Sequence, residues 1–131
     1  MNNMSKGFPM VMRSLSAITL AATGAIHLFL VFDGVGGVLG VSFVLNGIAG
    51  ILLAVGVLTL RGRLLGLTTV LGLLFLIASL LALVLALTVG LFGIEQTWSF
   101  TLVPATVVIE AAGVVVLAIT SALVLRKPRS A

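Results

Sequence analysis

Three residues of this chain combine a reactive or strongly polar side chain with an apolar setting: His27, Asn46 and Glu110. His27 stands in "LAATGAIHLFLVFDG", Asn46 in "VSFVLNGIAG" and Glu110 in "TVVIEAAGVVV". An imidazole and a carboxyl inside such runs can pass a proton between them or hold a polar molecule. A charged side chain turned toward lipid costs at least about 2.5–3.5 kcal/mol on the insertion scale. The three are therefore expected to face an interior, to pair, or to shed their charge. Purely structural roles compete with this. His27 can hydrogen-bond a carbonyl or hydroxyl on another helix, and Asn46 can serve as packing glue. Glu110 is the residue for which function is favoured, because carboxyls within a membrane are seldom only structural. Asp33 and Glu95 read as solvated acids beside the headgroups.

Weaker polar residues fall in register with these three. Ser16, Thr19 or Leu20, Thr23 and His27 follow at three- and four-residue steps, as do Ser42, Asn46 and Gly50, and Thr106, Glu110, Gly113 and Thr120. On a helix each set shares one face. Hydroxyls mixed with small residues are what packed helix faces in lipid use. Thr23, Ser42 and Thr106 are thus secondary members of a candidate binding or proton site.

Several chemistries are excluded or unsupported. The chain has no cysteine, so disulfides, thiolate metal sites and Cys-pair quinone reduction are ruled out. No lysine lies within an apolar run to form a Schiff base. One histidine cannot ligate haem from both sides within one chain, although a dimer could pair two His27 side chains. His27 and Glu110 alone are too few ligands for a metal. No catalytic triad is recognisable, and "GVGGVLG" lacks the strand–loop–helix setting of a phosphate loop. No catalytic or metal-binding set is expected, and a non-enzymatic role is favoured.

The elements that must position these residues follow from composition. Of 131 residues, 61% are hydrophobic and only 8% charged. A soluble domain carries about a quarter charged residues. The fold class expected is an all-α integral membrane protein of the cell membrane: a single domain over residues 1–131, with four transmembrane helices in an antiparallel bundle. The spans are read at about 14–32, 39–60, 64–92 and 101–125, each long enough for a core about 30 Å thick. "DGVGG", "RGR" and "GIEQTWSF" are the links, and Pro104 sits in the first turn of the last helix. All seven lysines and arginines fall on one side of this topology, whereas Asp33 and Glu95 fall on the other. By the positive-inside rule both termini are expected to be cytoplasmic. The basic clusters are separated by apolar runs, which does not suit nucleic acid. Residues 1–25 have the ingredients of a signal peptide, but the apolar run continues through "IHLFLVF", so a retained helix is expected.

With that orientation, helical rise puts His27 about 6 Å, Asn46 about 5 Å and Glu110 about 4–5 Å to the outer side of the midplane. Three helices thus place a polar residue in one layer. The arrangement "ATGAIHL", followed by the Gly-rich "GIAGILLAVGVLTLRGRLLGL" with its basic hairpin, resembles the DoxX-like small membrane proteins over roughly residues 15–90. The resemblance implies a four-helix bundle and a membrane oxidoreductase feeding quinone as partner. It does not extend to Glu110 and carries over no functional residue.

Three functions fit. The first is an accessory or structural subunit, packed in a larger membrane complex or a homo-oligomer through small residues four apart: Ala17, Ala21 and Ala25, Gly36 and Gly40, Gly50 and Ala54, and Gly62 and Gly66. The second is a small proton-coupled carrier or channel in which Glu110 alternately takes a proton and substrate. The third is a binder of a lipophilic cofactor, haem or quinone, through His27. The subunit reading ranks first on composition, and all three presuppose a lipid bilayer as surroundings.

Overall fold

The structure, a computed structural model, describes residues 3–91 and 93–126, with side chains from Gly7 onward. Phe92, Lys127, Arg129 and the Lys6 side chain, all used in the topology reading, lie outside the described residues. The chain forms α1 (Asn3–Phe32), α2 (Gly37–Thr59), α3 (Gly62–Thr88) and α4 (Val103–Val124). Each contains a segment long and apolar enough to cross a membrane: Gly7–Phe32, Gly37–Thr59, Gly62–Thr88 and Val103–Val124.

Two boundaries differ from the reading of the sequence. The first helix begins at Asn3 rather than near residue 14, and Pro9 lies inside it. The missing N–H of Pro9 removes one backbone bond without ending the helix. Met12 then packs into the core at 6% exposure, giving this extension an anchor. The third helix stops at Thr88 rather than near 92. Gly90 adopts φ +85° and its N–H donates to the Leu85 carbonyl at 2.8 Å, closing the helix in a left-handed cap. α1 closes in the same manner at Gly34, φ +113°. There the Val35 N–H donates to Leu30 O and the Gly34 N–H to Val31 O.

Short links make sequential helices antiparallel neighbours. α1 packs against both α2 and α4, and α4 against α3, while the α2–α3 seam is the loosest. The α1–α2 crossing is backbone on backbone. A Cβ added at Gly24 would stand 2.8 Å from Gly47 O, and one at Gly50 would stand 2.8 Å from Leu20 O. α1 joins α4 through Ser16 Oγ and Thr120 Oγ1, 2.8 Å apart, and Thr120 also donates to Met12 O at 3.2 Å. Leu20, Leu76 and Leu117 fill the centre with no exposure. Outward the bundle presents Ile18, Val41, Leu52, Leu67, Val108 and Val115, all exposed.

The α1 stripe Ser16, Leu20, Thr23 is wholly buried, and the α4 stripe Thr106, Glu110, Gly113, Thr120 is buried. α2 differs. Its packed stripe is Gly40, Gly47, Gly50, Ala54 and Val57, whereas Ser42 is exposed and Asn46 half-buried. The glycines admit α1 so closely that the Ser42–Asn46 edge turns away from that crossing. Of the alanine series, Ala17 is buried, Ala21 half-buried and Ala25 exposed.

Arg13 ties one end together. Its Nε and Nη2 donate to Val57 O at 3.0 and 2.8 Å, and Nη2 also reaches Leu58 O and Leu60 O. A helix leaves its last carbonyls without partners, and here a guanidinium from another helix takes them. Leu125 lies against Gly66 at the same end. Arg13, Arg61, Arg63 and Arg126 therefore share one end of the bundle, with Asp33 and Glu95 at the other.

Candidate functional site

At the acidic end all four helices line a partly open cavity of about 770 Å³. α1 and α2 are clamped at Gly24, Gly47 and Gly50, nearer the middle, while the small residues Ala78, Ser79 and Ala82 of α3 leave the space beyond unfilled. The connection from α3 to α4 roofs it. The Gln96 N–H donates to Ala86 O at 2.9 Å, and Leu91 and Ile94 bond each other reciprocally. Leu102 enters α4 with φ +65°, the one left-handed residue other than glycine among the described residues. That conformation costs about 1–2 kcal/mol and immediately precedes α4, on which Thr106 and Glu110 are buried.

His27, Asn46 and Glu110 all line this cavity, with Ser42, Thr106 and Gln96. Thr23 does not. It is wholly buried behind His27, and its Oγ1 has no hydrogen-bond partner among the described residues. Asp33 and Glu95 are exposed and outside the lining.

His27 is held on two sides. Its Nδ1 lies 2.7 Å from Thr23 O, and Phe43 meets the ring edge-on with centroids 4.8 Å apart. A carbonyl only accepts, so Nδ1 carries the hydrogen and Nε2 is the ring's remaining polar atom. Asn46 Nδ2 donates to Ser79 Oγ at 2.8 Å, bridging the loose α2–α3 seam, while its Oδ1 is buried without a partner. Glu110 is 1% exposed, and neither carboxyl oxygen has a hydrogen-bond partner among the described residues. Ser42 and Thr106 donate their hydroxyl hydrogens to carbonyls one turn back, Val38 O and Leu102 O.

The three polar residues thus face one space without bonding one another. His27 is held by Thr23 O and Asn46 by Ser79, while Glu110 has no hydrogen-bond partner among the described residues. Among the described residues no three His, Asp or Glu side chains come close enough together to hold a metal ion.

Reading the sequence overlooked Ser79, Gln96 and the aromatic walls Phe43, Phe75 and Phe100. Ser79 had a signal, a hydroxyl in the middle of the aliphatic "LIASLLALV". Gln96 had none, because only the fold of the connection brings it over the cavity.

Set against known protein families, curated proteins and solved structures, the chain matches none. What the site can do therefore rests on its chemistry. Buried polar groups are nearly always hydrogen-bonded, and those left unsatisfied call for an explanation. A carboxyl in an apolar cavity is satisfied by a proton or by a donor that enters the cavity.

Proposed function

We propose that this chain is a multi-pass protein of the cell membrane, both termini cytoplasmic, whose outer-half cavity binds a lipophilic small molecule by its polar head. The observation that carries this reading is Glu110, 1% exposed, with both oxygens unpartnered among the described residues and a cavity of about 770 Å³ beside it. Ligand sites are concave, mostly apolar and about 300–1,000 Å³, with a few convergent polar groups. Here Phe43, Phe75, Leu83 and Phe100 supply the apolar wall, and His27, Asn46 and Glu110 the polar edge. The orientation rests on the arginines gathered at the opposite end. Haem and quinone remain occupants to be sought at His27 Nε2, and a proton-coupled carrier would use the same Glu110.

The experiment is native mass spectrometry of the protein gently extracted from its own membrane, beside an Ala82→Phe variant that fills the cavity. Wild type carrying an added mass of a few hundred daltons, lost in the variant, supports binding. Wild type without an added mass, or an adduct the variant retains, refutes it.

A second reading, as a subunit of a homo-oligomer or larger membrane complex, is favoured by a shallow apolar groove between α1 and α2. It is floored by Ala17, Ala21 and Ala54 and flanked by Ile18 and Val55. Small residues of this kind let another helix approach closely. The DoxX-like resemblance adds a quinone-linked oxidoreductase to the candidate partners. The same spectra test it: a symmetric oligomer or a second protein in the complex supports the reading, and a bare monomer counts against it.

A further inference from the structure

The chemical class of the occupant can be read from which hydrogen-bonding atoms the cavity leaves unused, an inference that rests on the binding reading above. Glu110 offers Oε1 and Oε2 and Asn46 offers Oδ1, all buried and without partners among the described residues. Three lining donors are already engaged: the Ser42 hydroxyl on Val38 O, the Thr106 hydroxyl on Leu102 O, and the His27 Nδ1 hydrogen on Thr23 O. Both hydroxyl oxygens keep lone pairs, and Nε2 of a neutral imidazole accepts. The Ser79 and Thr101 hydroxyls and the amides of Asn46 and Gln96 also line the cavity and can donate, but each brings an accepting oxygen as well.

Charge points the same way. Among the described residues no lysine or arginine lines the cavity, and Arg13, Arg61, Arg63 and Arg126 stand at the other end of the bundle. His27 is, among the described residues, the one ionisable side chain in the lining besides Glu110. An anionic head would meet a carboxyl with no fixed cation to balance it, whereas a cation with several N–H groups would satisfy what is unsatisfied. We infer that the cavity takes an amphiphilic amine, its ammonium head at Glu110 and Asn46 Oδ1 and its apolar body against Phe43, Phe75 and Leu83.

The test uses three probes that share one apolar body and differ only in the head: 1-adamantylamine, 1-adamantanol and 1-adamantanecarboxylate. Binding to the full-length protein, cleared of bound lipid in a neutral detergent, is measured by titration calorimetry. The amine is expected to bind at least tenfold more tightly than the alcohol, and the carboxylate more weakly than either. Glu110→Gln is expected to bring the amine down to the level of the alcohol while leaving alcohol binding within a few-fold. If the alcohol or the carboxylate equals or exceeds the amine on wild type, the amine assignment is overturned and the binding reading survives. If no probe binds, both fall. An amine preference that persists undiminished in a folded Glu110→Gln protein overturns the role given to Glu110. The wild-type comparison needs no variant, so the assignment stays refutable even if Glu110→Gln does not fold.

Discussion

Replacing Gly24 by alanine tests whether the α1–α2 crossing depends on bare backbone. The added Cβ would lie 2.8 Å from Gly47 O and 3.4 Å from both Gly47 Cα and Ile51 N. All three are backbone atoms of α2, so no rotamer can relieve the contact. Bringing 2.8 Å out to an ordinary 3.4 Å means moving one helix about 0.6 Å from the other. Overpacking of this size typically costs about 1–3 kcal/mol. Alanine also favours helix over glycine by about 1 kcal/mol, which offsets part of that cost. Gly7→Ala separates the two effects. Gly7 is helical and has nothing within 4 Å of its would-be Cβ, so that variant has the propensity gain without the clash. Gly24→Ala should therefore be less stable than Gly7→Ala by about 1–3 kcal/mol. Gly50→Ala meets Leu20 O and Gly24 Cα across the same crossing. One separation relieves both contacts, so the double variant should fall short of the additive loss by about 0.5–1 kcal/mol. Reversible unfolding followed by helicity, in mixed micelles titrated with sodium dodecyl sulfate, gives each value. Equal stability of the Gly24 and Gly7 variants, or strict additivity of the double, would refute the reasoning.

Further predictions concern the polar links. Arg13→Met strips the Val57, Leu58 and Leu60 carbonyls of their donor and should destabilise by about 1–2 kcal/mol in the same titration; Arg13→Lys recovers only part, because an ammonium lacks the planar fork. Thr120→Val breaks the bond to Ser16 and should cost about 0.5–1.5 kcal/mol, seen as a lowered unfolding midpoint. Asn46→Leu removes the bridge to Ser79, and amides of α3 near Ser79 should then exchange hydrogen faster, with those near Thr69 unchanged.

Much of the fold was legible because apolar length is decided residue by residue. A helix of twenty or so aliphatic residues is long and apolar enough to span a membrane whatever it packs against, and the glycine turns at Gly34 and Gly62 were marked by "DGVGG" and "RGR". The end of α3 was harder. "TVGLFG" continues the apolar run, so hydropathy could not show that Gly90 would turn left-handed and stop the helix at Thr88. The inward faces of α1 and α4 followed from spacing, since each has one polar stripe. α2 has two competing stripes, glycine and polar. Only the close approach of α1 decided that the glycines take the crossing and that Ser42 and Asn46 border the cavity.

For the site, the identity of His27, Asn46 and Glu110 was fixed by type alone, because an ionisable or amide side chain within an aliphatic helix needs a partner wherever it lies. Whether they would bond one another was a matter of distances across the bundle, which depend on how far small residues elsewhere let the helices close. Glycines at the middle draw α1 onto α2, while the small residues of α3 and the folded connection leave a space at the acidic end. In that space Asn46 reaches Ser79, His27 turns to its own helix, and Glu110 is left without a partner among the described residues. The sequence by itself determined which groups must be satisfied. The tertiary structure decided which were, because satisfaction depends on geometry between helices that no single helix encodes.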